Sequence, residues 1–281
     1  MTTGQNNCVK TIAVFNQAGG VGKTTLTRDL GFELAGRGAR VLLVDADPQG
    51  TLGVFFGETP AERPVTDLFW SSICMRGGPK GDPVRIHSEF GVHLGLANHT
   101  LIDDEWVLAQ QHDPARLLGV FDRLKAEYDL ILIDCPPKIA ELTHQVLLAA
   151  DALLIPVQPE GKAVVAFAEV HREILQVQQR RTNMRLPTIA VLGVVPTIFN
   201  PRLVLHRHHL EELRDRICAS FGYPLFPAIR DYVSVAEAGT QGLPLKAYDA
   251  RCAANQDVSA VADMLLDQIK VPNPLSEVVN G

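Results

Sequence analysis

Five stretches of this chain are apolar almost from end to end: Thr11–Phe15 (TIAVF), Val41–Asp45 (VLLVD), Leu130–Asp134 (LILID), Ala152–Val157 (ALLIPV) and Ile189–Val195 (IAVLGVV). A strand with one wet face alternates polar with apolar residues, so runs without that alternation belong to strands buried on both faces. Burial on both faces needs helices above and below a parallel sheet. Amphipathic stretches supply them at about Thr24–Arg37, Pro114–Glu127, Ile139–Ala149, Ala163–Gln179, Arg202–Ser220 and Asn255–Lys270. Weaker strand candidates are Val84–His87, Val92–Leu96 and Leu225–Pro227, and Gly57–Asp82, with its RGGPKGDP, reads as an irregular excursion. No repeat, low-complexity tract or linker interrupts the pattern. The expected fold is α/β, a doubly wound, mostly parallel sheet with helices on both faces, forming a single domain over residues 1–281.

Composition narrows the setting. The five cysteines, Cys8, Cys74, Cys135, Cys218 and Cys252, are scattered and contain no CxxC pair, which suits a reduced, cytoplasmic environment rather than a disulfide or zinc framework. The N-terminal MTTGQNNCVK lacks an apolar signal core, and no apolar run approaches the roughly eighteen residues of a membrane span. A net charge of −6 argues against a protein that coats nucleic acid over its whole surface, while leaving room for a local basic patch.

The first strand runs into NQAGGVGKTT, Asn16–Thr25, and then a helix. That order points backbone N–H groups and a helix N-terminus at phosphate oxygens, as in a P-loop. Gly19, Gly20 and Gly22 permit the tight path, with Val21 between them. Lys23 is expected to reach the β- and γ-phosphates of ATP, Thr24 to place its hydroxyl on Mg²⁺, and Thr25 to contact the α-phosphate. The first glycine of the usual GxxxxGK[ST] pattern is replaced by Asn16 or Gln17. Two further strands end in carboxylates: Asp45 and Asp47 in VLLVDADPQG, and Asp134 in LILIDCPP. The carboxyl ends of parallel strands border the ligand crevice. Asp134 is placed to hold a magnesium-bound water, and Asp47 to orient or deprotonate the attacking water.

These stretches, with LLIPVQPE and AIRDYVSVAEAGTQGLPLKAYD, resemble the ParA/MinD group of deviant-Walker ATPases, in order and over nearly the whole chain. The resemblance implies an ATP sandwich homodimer opened by hydrolysis, with the water-activating role of the second aspartate in DxDP falling on Asp47. It also implies sequence-independent binding to nucleoid DNA, cargo positioning, and slow turnover stimulated by a small adaptor protein. The family's loop usually begins with a lysine that crosses the dimer; here that position is Ala18. Two triphosphates pressed together repel strongly at low dielectric, so losing a cation from each side weakens the junction. Three outcomes follow: no sandwich dimer, a dimer without this contact, or a substitute cation. Lys162, at a helix start on the expected dimer face, is the preferred substitute acting in trans, and Lys138, after DCPP, is the runner-up. The loop itself looks like the McdA-like branch, which lacks the signature lysine and positions carboxysomes.

The DNA-binding candidates are Arg202, Arg207, Arg230 and Arg251, while a family arginine appears here as Ser234. His206 and His209 are spaced for a metal, with no third ligand nearby. The acidic tail, DVSAVADMLLDQIKVPNPLSEVVNG, is wrong for an anionic bilayer, so its helix should pack on the domain and no membrane partner is expected. The combined expectation is a cytoplasmic, nucleoid-associated Mg-ATPase that positions a cargo, with a carboxysome-type microcompartment favoured over plasmid or chromosome partition. Rivals of other classes are a metabolic enzyme of the dethiobiotin-synthetase or cobyrinate-amidation kind, an iron–sulfur reductase bridging a cluster through Cys135 and Cys74, and a non-hydrolysing scaffold.

Overall fold

The computed structural model describes residues 10–62, 69–74, 83, 85–111, 116–138, 140–161 and 163–270. Its strands are β1 (Thr11–Val14), β2 (Val41–Asp45), β3 (Ile86–His87), β4 (His93–Gly95), β5 (Leu130–Asp134), β6 (Ala152–Val157) and β7 (Ala190–Pro196). They form one sheet in the order β3-β4-β2-β5-β1-β6-β7, parallel throughout except for β3 against β4. The helices between them are α1 (Lys23–Gly36), α2 (Thr51–Val54), α3 (Phe69–Cys74), α4 (Leu101–Gln111), α5 (Arg116–Leu124), α6 (Glu141–Ala149) and α7 (Ala163–Asn183). After β7 come α8 (Val204–Glu212), continued through a π-helical turn (Leu213–Cys218) into α9 (Ala219–Phe221), then α10 (Val233–Thr240), α11 (Leu245–Tyr248) and α12 (Ala254–Lys270).

The unbroken apolar strands have a direct structural reason. Successive side chains point to opposite faces, and each face feeds its own core. Ala13, Phe15, Leu42, Val44, Ile131 and Ile133 enter one cluster, with Phe121, Val146 and Phe167 from the helices. Ile12, Val14, Leu43, Leu130 and Leu132 enter the other, where Leu26, Leu30 and Leu34 of α1 meet Val261, Ala262 and Leu265 of α12. Each fully buried leucine or isoleucine stabilises the fold by about 1.5–3 kcal/mol. A polar residue at almost any strand position would therefore face a core.

Some expectations need correcting. Leu225–Pro227 does not extend the sheet. Only an isolated bridge joins Leu225 to Val194, at the point where Pro224–Phe226 crosses Gly193 of β7. A Cβ at Gly193 would overlap the Pro224 carbonyl oxygen, so the crossing needs glycine. The expected helix at Arg202–Ser220 begins at Val204 and loses α-geometry at Leu213. Part of the supposed irregular excursion is helical: α3 buries Phe69 and Trp70 in the core, and the Trp70 indole N–H donates to the Asp45 carbonyl. Residues 63–68, 75–82 and 84 of the weak segments lie outside the described residues.

Candidate nucleotide site

The loop from β1 to α1 is shaped by two glycines in left-handed backbone conformation, Gly20 (φ 74°) and Gly22 (φ 79°). Gly22 is the N-cap of α1, no side chain caps that end, and its first turn carries no acid. Its N–H groups and the positive end of the helix dipole are left to an anion. Two polar side chains fix the loop from outside. Asn16 donates from Nδ2 to the Pro156 carbonyl (2.7 Å), and its Oδ1 accepts the Ala18 N–H (2.9 Å). From the end of β7, Thr197 Oγ1 donates to the Val21 carbonyl (2.8 Å). Lys23 is 7% exposed and donates from Nζ to the Ala18 carbonyl (2.9 Å), lying back across the loop. Burial lowers its pKa, opposed by Asp134, Cys135 and Asp47.

Asp45 and Asp134 are paired in register across β2 and β5, and both are 1% exposed. They do different work. Asp45 is consumed by structure, its two oxygens accepting the N–H groups of Asp47 (2.9 Å) and Leu52 (3.0 Å). Asp134 Oδ1 is buried without a hydrogen-bond partner. Burial pushes the Asp134 carboxyl up to about 7, against the Thr24 hydroxyl and the Lys23 ammonium, with Asp47 pushing the same way as burial. A buried carboxylate oxygen lacking a donor, beside a threonine hydroxyl, is a setting that an oxygen-seeking Mg²⁺ and its waters satisfy. The residues fit the metal. Asp47 stands at the cleft wall in a tight turn, its Oδ1 accepting the Gln49 N–H (2.9 Å).

A cleft of about 760 Å³ opens over the loop. Gly19, Gly20, Gly22, Lys23, Thr24, Thr25 and Asp47 share its lining, while Val21 is buried beneath. The opposite wall comes from segments to which the sequence reading gave no part in the cleft: Thr197 and Ile198 after β7, Ile229–Tyr232, and the faces of α10 and α12. A buried ion pair ties α1 to this wall. Arg28 holds Asp29 through Nε and Nη2 (both 2.8 Å), and Asp29 Oδ1 also accepts the Leu245 N–H (2.9 Å). The guanidinium lies over the Phe55 ring, and its Nη1 has no partner. The adjacent charged pair in LTRDLGFEL was the available signal, because two neighbouring charges inside an apolar helix face must neutralise each other to be buried.

The other candidates divide. Lys138 is exposed, next to the cleft residue Pro137, and its carbonyl accepts the Thr143 hydroxyl (3.1 Å). Lys162 lies outside the described residues. Arg202, Arg207 and Arg251 are exposed and away from the cleft lining. Arg230, read above as a DNA contact, lines the cleft and is bound to Asp257 at 2.7 and 2.8 Å. His206 is a satisfied interior histidine whose Nδ1 accepts the Asn200 N–H, and His209 pairs with Glu212. No metal-binding cluster of His, Cys, Asp and Glu occurs among the described residues. Cys135 is buried in the core with its thiol pushed well up by burial, so it offers no sulfur to a surface cluster. No helix among the described residues is long and apolar enough to cross a membrane, and α12 packs on α1.

A glycine loop at an uncapped helix end, beside strand-end carboxylates on a mostly parallel sheet, defines a P-loop nucleoside triphosphatase fold. A family model described as an AAA domain matches residues 9–188. The chromosome partitioning protein ParA of Caulobacter vibrioides is 34% identical over 254 residues, 89% of this chain and 91% of that protein. The chromosome-partitioning ATPase Soj of Treponema pallidum is 32% identical over 258 residues, 90% and 95% of the two chains. The chain belongs to this AAA-domain family of ParA/MinD-type ATPases. Among solved structures, apo McdA from Cyanothece superposes with a TM-score of 0.77 at 23% identity, over 91% of this chain and 99% of that one, a likeness of fold. A structure described as cobyrinic acid a,c-diamide synthase from Mycobacterium smegmatis, with a bound ATP analogue and magnesium, gives a TM-score of 0.77 at 29% identity, over 95% and 98% of the chains.

Proposed function

We propose that the chain is a single-domain, cytoplasmic Mg-ATPase that dimerises around ATP, binds nucleoid DNA without sequence preference and positions a cargo through an adaptor protein. The observation that carries this reading is the orphaned, buried Asp134 oxygen beside Thr24, a residue that lines the same cleft as Asp47 at an uncapped helix end. In it, Gly19–Thr25 hold the phosphates, Thr24 and, through water, Asp134 hold Mg²⁺, and Lys23 neutralises charge that grows on the phosphates. Asp47 acts on the attacking water, and Lys162, with Lys138 as runner-up, replaces the cation absent at Ala18. Turnover is slow until the adaptor engages.

Two cargo readings stand side by side. Ala18 favours a carboxysome-type microcompartment, while chromosome-partitioning relatives at 34% and 32% identity favour a chromosome or plasmid. An ATP-dependent amidating enzyme is a second class, supported by the likeness to the M. smegmatis structure. It predicts turnover that needs a carboxylate co-substrate and no DNA binding.

The test is retention of random-sequence DNA with and without ATP. Asp47→Ala should stay bound and Lys162→Ala should bind poorly. If ATP alters neither DNA affinity nor oligomeric state, the positioning reading fails.

A further inference from the structure

The strands that flank β1 divide the cleft by chemistry. On one side, β5 ends in Asp134 and β2 leads to Asp47, so in the ATP-binding reading above the γ-phosphate end of the nucleotide lies there. On the other, β6 and β7 lead to Ile198 and Ile229, which, with Ala254 and Val258 of α12, make an apolar wall bearing no carboxylate of the hydrolytic set. The ribose and base, extending away from the reacting phosphate, are directed into this second wing. At its edge stands Arg230, 35% exposed. Asp257 accepts its Nε (2.8 Å), Nη2 (2.7 Å) and backbone N–H (3.0 Å), which locks the guanidinium plane, and the Tyr232 ring lies 5.5 Å from its central carbon.

We propose, building on the ATP-binding reading above, that Arg230 is a base-positioning residue: its guanidinium, held flat by Asp257 and Tyr232, stacks on the nucleobase in the β7 wing of the cleft. A planar, delocalised cation on an aromatic face suits this task, and lysine does not supply the plane. The bidentate carboxylate neutralises most of the charge that a phosphate backbone would otherwise attract, which removes Arg230 from the DNA-contacting set. Orientation by Asp257 also fixes the stack before the ligand arrives, so little side-chain freedom is lost on binding.

The experiment compares affinities for Mg²⁺ with ATP and Mg²⁺ with inorganic tripolyphosphate, in an Asp47→Ala background that prevents turnover. Tripolyphosphate uses the loop alone, whereas ATP uses loop and platform. Arg230→Ala should weaken ATP roughly tenfold and leave tripolyphosphate unchanged, in line with base stacking on a side-chain plane. Arg230→Lys should remain weak, and Asp257→Asn should lie between native and Arg230→Ala. Equal loss for both ligands would show Arg230 to be a brace for α12 and would overturn the proposal. So would unchanged ATP affinity with diminished DNA retention at saturating ATP. Failure of the unsubstituted protein to bind ATP would instead strike at the ATPase reading on which this rests.

Discussion

The two walls of the cleft are built in opposite ways. The wall on the β1, β2 and β5 side is a set of local devices: a glycine loop, a helix end, and carboxylates at the end of a strand (Asp134) or two residues past one (Asp47). The far wall is assembled from partners remote in sequence, with Thr197 bonding to Val21, Leu245 to Asp29, and Arg230 to Asp257. Chemistry is concentrated in the first wall, and the shape of the ligand space in the second. Mutations should therefore separate into those that abolish turnover in a stable protein and those that loosen the chain or its grip on ATP.

The largest expected effect tests the far wall. Asp29→Ala leaves the Arg28 guanidinium buried without its counter-charge, which costs about 3–5 kcal/mol. Chemical denaturation should show it, and the double change Arg28→Met with Asp29→Leu should regain much of the loss. The near wall should behave conversely. Lys23→Ala should cut ATP turnover by roughly 10²–10³-fold, the scale for removing one charge-stabilising donor. Asp47→Ala should cut it roughly 10²-fold while ATP affinity is retained. If either unfolds the protein, the division between walls is wrong. Thr197→Val removes the side-chain bond from the end of β7 to the loop, leaving the Val21 carbonyl without that donor. Titration with ATP and thermal melts should register a loss of about 1–2 kcal/mol, divided between affinity and stability.

The smallest effect is a pH dependence. Burial, beside the Asp45 carboxyl, holds Asp134 up at about 7 in the fold, above its value in the unfolded chain. The native state then binds the extra proton between the ordinary carboxylate range and about 7, so stability of the metal-free protein should fall as pH rises through that window. Mg²⁺ competes with the same proton. Its apparent affinity should decline below pH about 7, and saturating Mg-ATP should flatten the melting-temperature profile.

Legibility in the sequence follows the same division. Strands buried on both faces announce themselves because every step must be apolar, and the loop is legible because its geometry is set by consecutive residues. Helix α10, by contrast, is written VSVAEAGT, with β-branched residues and a glycine that favour other conformations. Contacts with α1 and Phe55 hold it, and a local reading sees neither. Arg230 enters the sequence reading as a DNA-contact candidate because sequence gives a charge but not its partner, and Asp257 is 27 residues away. Thr197 carried no motif at all.

Strands that are apolar throughout have one further consequence. Sliding β2 past β5 by two residues would keep large aliphatic groups on both sides of the sheet, so hydrophobicity alone leaves their alignment ambiguous. What forbids the slide is the neighbouring pair of acids at the ends, Asp45 and Asp134, which tolerate no position further in. Asp134, the carboxylate that would hold a divalent ion, thus also acts with Asp45 as an end stop for strand pairing, and neutral replacements at both positions should leave a sheet that is better buried and less uniquely aligned.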